Sequence, residues 1–190
     1  MIDRTLVLLK PDAVQRALIG EILSRFEKTG FKIIGMKLVH ASKEQAGTHY
    51  ADDESWLKSV GEKTKKSYEA KGQPIPDDAL TVGKRVRQML IDFITMSPTV
   101  ALVIEGHDVI GKIRLMVGDT APNKAMPGTI RGDFAFDSYG LSDMSGRPIQ
   151  NLIHASDSVD SAKKEIAIWF KNNELYPYQR VDEALLYRKK

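Results

Sequence analysis

The chemistry this sequence can perform gathers around one histidine. His154 stands between an apolar run, Ile149–Ile153, interrupted by Gln150 and Asn151, and the polar cluster Ser156–Ser161. The run reads as a strand. The residues after it, Val159, Ala162, Ile166, Trp169 and Phe170, recur at the spacing of one helix face. Ser158 is the expected N-cap and Asp160 an acid in the first turn. His154 is therefore expected at the end of a strand, just upstream of a helix N-terminus. Three roles are open to it: core histidine, metal ligand, or acid, base or nucleophile. His40, His49 and His107 show no ligand spacing with it, which weakens the metal reading. An unperturbed imidazole, with a pKa of about 6.5, leaves a neutral, nucleophilic nitrogen near neutral pH. Glu165 on the following helix would fix the tautomer and stabilise a cationic ring if it reached the other nitrogen. A helix N-terminus next door favours anions.

Cations are the second ingredient. Lys10 directly follows a compact apolar run, Thr5–Leu9, so it can aim an ammonium at a site on the sheet edge or simply snorkel to solvent. Arg114 sits beside the apolar face of its helix. Arg131 lies in "GTIRGDF", where flanking glycines permit close backbone approach and a planar guanidinium suits phosphate. Thr120 and Asn151 are neutral hydrogen-bonding groups, uninformative alone. The stretch Gly106–Lys112 matches G-x-x-x-x-G-K, but a phosphate-cradling loop of that kind needs Ser or Thr next, and Ile113 is there instead. A histidine, an anion site and scattered cations together suggest phosphoryl transfer through the imidazole.

Elements must position these groups, and the pattern alternates strand with helix. Thr5–Leu9 reads as a buried strand ended by Lys10 and Pro11, with Asp12 the expected N-cap of a helix after it. Leu18, Ile19, Ile22, Leu23 and Phe26 mark a helix face stopped by Gly30, and Phe31–His40 is a second strand. Ser42–Gln45 has the capping-box pattern and opens a short helix towards Tyr50. From Asp52 to Asp78 the chain is polar and lysine-rich, an irregular or helical excursion. Val82 to Ile94 restores helical spacing, Thr99–Glu105 is the clearest strand, and Val109 to Val117 is another helix face. The segment from Ala121 to Phe136 reads as a loop punctuated by Pro and Gly, and Asp137–Pro148 as a second polar excursion. An α/β or α+β sandwich in a single domain spanning residues 1–190 is expected. Lys+Arg 28 against Asp+Glu 25 leaves a mild net charge of +3, and there is no cysteine, hence no disulfide or thiolate chemistry. The N-terminal apolar run is far too short to span a bilayer, which points to a cytoplasmic protein. A nucleic-acid module expects aromatic pairs on a sheet face, and these strands are mostly aliphatic.

The segments "TLVLLKPDAVQR", "LIGEILSRFEK", "PGTIRGDF" and "IHASDSV", with "KEI" and "IWF" after it, resemble the nucleoside diphosphate kinases. The resemblance runs from Thr5 to about Tyr50 and from Pro98 to Phe170, with a weaker tail to Tyr187. It implies a ferredoxin-like βαββαβ core with a four-stranded antiparallel sheet, two enlarged segments near 53–84 and 137–148, and transfer of the γ-phosphate of a nucleoside triphosphate, mainly ATP, to a nucleoside diphosphate. By the same resemblance His154 takes the phosphate with support from Glu165 and Ser156. Lys10, Tyr50, Arg114, Thr120, Arg131 and Asn151 surround the nucleotide. Mg²⁺ is held chiefly by the nucleotide's own phosphates, with no protein metal ligands, and the family implies a homo-oligomer, hexamer or tetramer. Two positions depart from its pattern: Ala155 and Ala17 stand where glycine is usual. The family also stacks a phenylalanine on the base. Trp56 is the candidate here, with a helix-packing anchor as the other reading of the same residue.

Overall fold

In the computed structural model, which describes residues 2–50 and 52–187, the apolar runs from Thr5 and from Thr99 become strands buried on both faces, while the run from Phe31 becomes an edge strand with one face partly open. The chain runs β1 (Ile2–Leu9), α1 (Pro11–Gln15), α2 (Ile19–Lys28), β2 (Lys32–Val39), α3 (Lys43–His49), α4 (Glu54–Glu69), α5 (Ala79–Thr95) and β3 (Thr99–His107). It continues through α6 (Val109–Val117), α7 (Ile130–Phe134), α8 (Tyr139–Met144), β4 (Ile153–Ala155), α9 (Val159–Trp169) and α10 (Glu183–Leu186). The sheet has the order β2-β3-β1-β4 and every pairing is antiparallel. Alternation along β1 sends Val7 and Leu9 to one face, where they meet Ile22 and Phe26 of α2 and Ile113 and Val117 of α6. Leu6 and Leu8 face the other way, against Ala46 of α3, Ile91 and Ile94 of α5, and Trp169 of α9. With α2 and α6 as the two crossovers on one face, this is the ferredoxin-like βαββαβ arrangement that the resemblance implies.

Three local expectations change. Asp12 does not cap α1; Lys10 holds the N-cap position, and Asp12 lies inside the first turn with a carboxylate oxygen accepting from the Leu152 amide (2.9 Å). The last strand is not Ile149–Ile153 but Ile153–Ala155, so His154 is its middle residue rather than its successor. The segment expected to be a loop contains α7, capped by Thr129 through the Gly132 amide. Both polar excursions carry helices. The first is an antiparallel pair, α4 capped by Asp53 and α5 capped by Asp78. The pair is in backbone contact: a Cβ on Gly61 would stand 1.7 Å from the Ala79 carbonyl oxygen, and one on Gly83 2.0 Å from that of Leu57.

The second excursion is pinned by Asp137. Its carboxylate takes both Arg147 Nη1 (2.5 Å) and Nη2 (3.1 Å), together with the amides of Ser138 and Gln150. Its carbonyl accepts from the Asn123 amide (3.1 Å). The tips of the two excursions meet, because Lys71, just past α4, forms an ion pair with Asp143 on α8.

Candidate active site

β4 is short because it pairs with β1 only at Val7, Leu8 and Leu9. His154 lies opposite Leu8, so its ring emerges on the face covered by α3 and α9. There Glu165, on the second turn of α9, places Oε1 3.1 Å from Nε2 of His154. The other carboxylate oxygen of Glu165 accepts from the Ser156 hydroxyl, and that hydroxyl in turn accepts from the Leu6 amide (3.2 Å). Burial pushes Glu165 up, but the hydrogen bond and charge of His154 and the bond from Ser156 outweigh it, leaving the carboxyl below its usual range. An ionised carboxylate only accepts, so the proton of a neutral His154 ring sits on Nε2 and Nδ1 carries the lone pair.

At the adjacent strand end, the buried Lys10 donates from Nζ to Asn151 Oδ1 (2.7 Å), and Asn151 Nδ2 donates to the Thr120 carbonyl (2.8 Å). Burial, aided by the nearby Arg131, pulls the Lys10 ammonium down to about 8. Between Asn151 and His154 the backbone makes a γ-turn: the Ile153 amide donates to the Asn151 carbonyl (2.7 Å) and Leu152 takes φ 66°. For a bulky buried residue that conformation is strained. It is held from both sides, by Asp12 on the Leu152 amide and by the Lys10 amide on the Leu152 carbonyl (2.8 Å). Arg131 completes the frame. Its guanidinium donates to the carbonyls of Asn151 (3.0 Å), Gly118 (2.9 Å), Asp119 (3.0 Å) and Ile153 (2.7 Å). Four of its five N–H groups are thus engaged by backbone, so Arg131 is chiefly a brace between two loops.

These loops wall an open cleft of about 390 Å³, lined by Lys10, Arg114, Thr120, Arg131, Asn151, His154 and Glu165 among others. Arg114 is exposed, and its guanidinium makes no hydrogen bond or ion pair among the described residues. Asp119 and Asp157 bring carboxylates to the rim, and hydrogen bonds from Ser161, then Ser158, keep Asp157 below its usual range despite partial burial. Tyr50 and Trp56 do not line the cleft. Tyr50 packs edge-on against His49 (4.9 Å between ring centroids), and burial raises its hydroxyl above the usual phenol range. Trp56 lies in the first turn of α4, beside Leu57, which is buried against α5.

Two participants escape the sequence reading. His49 closes α3 and stands edge-on to His154, 4.7 Å between centroids at 83°. Arg87 of α5 donates to the carbonyls of Tyr50 (2.8 Å) and Gly47 (2.9 Å), fixing the end of α3. Neither carries a local signal. His49 sits beside Tyr50 in sequence, but only the fold brings it to a histidine on a distant strand.

The fold and cleft define a class: a ferredoxin-like α/β protein whose histidine, fixed by a carboxylate, opens onto a cavity ringed by cations. Comparison with known proteins narrows it. The family model described as nucleoside diphosphate kinase matches residues 3–60 and 79–175, leaving 61–78 outside. A nucleoside diphosphate kinase of Pyrobaculum aerophilum is 43% identical over 179 residues, 92% of this chain and 98% of that one. One of Pyrococcus furiosus is 42% identical over 189 residues, all of this chain and 96% of that one. The crystal structure of an NDP kinase from Pyrobaculum aerophilum superposes with a TM-score of 0.90 at 42% identity, covering 93% of this chain and 100% of the other. A nucleoside-diphosphate kinase from Borrelia burgdorferi, solved as a transition-state mimic with vanadate and ADP, gives 0.78 at 36% identity, covering 97% and 96%. The chain belongs to the nucleoside diphosphate kinase family and is a phosphotransferase acting on nucleotides.

Proposed function

We propose that His154 is the phosphate carrier of this kinase and that transfer runs in two half-reactions through one cleft. The observation that carries this is the Nε2–Glu165 bond, which puts the ring proton on Nε2 and leaves the lone pair on Nδ1, in a ring that lines the cleft. In the first half, Nδ1 attacks the γ-phosphorus of a nucleoside triphosphate, mainly ATP. The N–P bond forms as the bond to the β,γ-bridging oxygen breaks, and the diphosphate leaves with that electron pair. The ring becomes cationic, and Glu165, itself held by Ser156, stabilises the charge without taking the Nε2 proton. In the second half, a terminal oxygen of another nucleoside diphosphate attacks the same phosphorus and the N–P electrons return to the ring, which is ping-pong chemistry. Lys10 and Arg114 neutralise the transferring oxygens; Thr120 and the one uncommitted N–H of Arg131 add hydrogen bonds; Asn151 holds Lys10 and faces the sugar side. Such a site accelerates by positioning and charge stabilisation more than by covalent work.

Mg²⁺ fits this donor set as a companion of the nucleotide. The cleft offers separate carboxylates at Asp119 and Asp157 rather than a cage, so those two could reach a phosphate-bound ion or its water. When bound, the ion neutralises phosphate charge. Tyr50 sits behind the ring stack, and Trp56 would meet a base only if α4 moved towards the cleft. A homo-oligomer, hexamer or tetramer, is supported by apolar side chains left open on β2, Met36 at 60% and Leu38 at 64% exposure. No helix among the described residues is long and apolar enough to cross a membrane. Membership of the nucleoside diphosphate kinase family supports a cytoplasmic setting, with nucleotides rather than nucleic acid as partners. Incubated with ATP and Mg²⁺, the protein should gain one acid-labile phosphate per chain, and His154→Ala should abolish transfer while nucleotide binding survives. Substantial exchange remaining in the His154 variant would sink the mechanism.

A further inference from the structure

Glu165 holds His154 by one atom. A hydrogen bond to Nε2 sets the tautomer, but the ring can still swing about that bond and carry Nδ1 off the line of attack. Something must restrain the ring from the side, and the only aromatic ring packed perpendicular to it among the described residues is His49. The two rings meet at 83° with centroids 4.7 Å apart, the edge-to-face geometry that aromatic pairs favour. His49 is itself immobilised on three sides. Trp169 Nε1 donates to its Nδ1 (3.3 Å), and the Trp169 and His49 rings are also perpendicular. Arg87 fastens the carbonyls at the end of α3, and Gln45 of α3 donates to the Ile168 carbonyl of α9 (3.1 Å).

We propose that His49 is a positioning residue for the phosphate carrier: the stack Trp169–His49–His154 fixes the plane of the His154 ring so that Nδ1 stays on the line of attack. The inference rests on the reading of His154 as carrier. It also explains why the backstop is a histidine rather than a phenylalanine. Trp169 is 1% exposed, and its indole N–H, left without an acceptor, would cost about 1–3 kcal/mol. His49 supplies both the acceptor and the edge. Burial, with His154 and Lys10 adding to it, drives His49 down to about 3, so the ring is neutral when its neighbour turns cationic.

His49, His154 and Glu165 also place ligand atoms within 4.8 Å of one another, a spacing that would suit a metal ion. The Trp169 bond argues for the ring stack instead. With Nδ1 accepting, the proton of the neutral His49 ring is on Nε2, and neither nitrogen is left as a ligand.

The test separates edge from acceptor. In His49→Ala the edge is lost; kcat should fall about tenfold or more, since small misplacements of reacting groups cost up to ~10²-fold, while KM for nucleotides moves less than about threefold. His49→Phe combined with Trp169→Phe restores an aromatic edge and removes the orphaned donor; it should recover kcat to within about threefold of wild type. Circular dichroism and thermal melts establish that each variant is folded. A folded His49→Ala with wild-type kcat overturns the proposal, and so does a double variant no better than His49→Ala. His154→Ala is run alongside: transfer surviving there overturns the carrier assignment itself, whereas an inactive His154 variant beside a fully active His49→Ala defeats only the positioning role.

Discussion

Burial sets the working range of Lys10. An exposed lysine stays charged to beyond pH 10, but this one titrates near 8, so the cleft loses a cation as the solution turns mildly alkaline. kcat/KM, which reports the free enzyme, should therefore decline as pH rises through about 8, and Lys10→Gln should remove that limb while lowering the plateau. A profile flat to pH 9.5 in the wild type would contradict it. The linkage sign is fixed too: the folded pKa lies below the unfolded 10.5, so between about 8 and 10.5 the unfolded chain holds more protons and this group's contribution to stability rises with pH. A second residue carries a cost of its own. Ala17, where the family favours glycine, has φ 56°, the left-handed region that penalises a Cβ. Ala17→Gly should stabilise by roughly 0.5–1 kcal/mol net, the left-handed penalty of about 1–2 kcal/mol less the roughly 0.4–1 kcal/mol that glycine adds to unfolded-chain entropy. For a chain of this size that amounts to about 1–4 °C in Tm, and an unchanged or lower melting temperature would show that the turn carries no strain. Single residues divide sharply in how readable they are. Lys10, Glu165 and His154 could be singled out from strand ends and the helix that follows, Lys10 with snorkelling as its other reading, whereas the φ of Leu152 and the packing of His49 exist only once β1 and β4 have paired.

At the scale of elements, period and apolarity decide what can be read. α2, α5 and α6 bury a face and show it as helical spacing. α4 and α8 bury little, so their sequences look like surface, and their helices are set by Asp53 and Ser138 caps and by docking. The position of β4 misleads for another reason: Ile149–Ile153 has the composition of a strand, but the γ-turn at Leu152 delays pairing until Ile153. Contact between the two excursions could not be foreseen from either alone. Lys71 reaches Asp143 and lies 5.2 Å from the Tyr68 ring centroid, both ion-pair partners being partly buried. Exposed and partly exposed pairs of this kind contribute up to about 1 kcal/mol. Lys71→Glu should accordingly speed amide exchange at residues 66–73 by about fivefold at most, and adding Asp143→Lys should restore protection. Because neither residue lines the cleft, kcat should be unaffected. Unchanged exchange in the single variant would mean that the tip is held by something else.

For the whole molecule, alternation of elements was enough to indicate an α/β or α+β sandwich, because buried strands and crossover helices leave strong apolar patterns, whereas the ferredoxin-like order of the strands came from the family resemblance and not from the pattern. The sheet order also has a consequence in time. β1 leaves the ribosome before the other three strands, yet it lies inside the sheet, flanked by β3 and β4. Its residues Leu6, Val7, Leu8 and Leu9 are completely enclosed in the finished protein, and the strand that covers their last edge ends at Ala155. At ~5–20 residues per second, that strand arrives on the order of 10 s after β1 does. Throughout that interval the stickiest segment of the nascent chain waits with an open edge, and every pause in translation lengthens the wait.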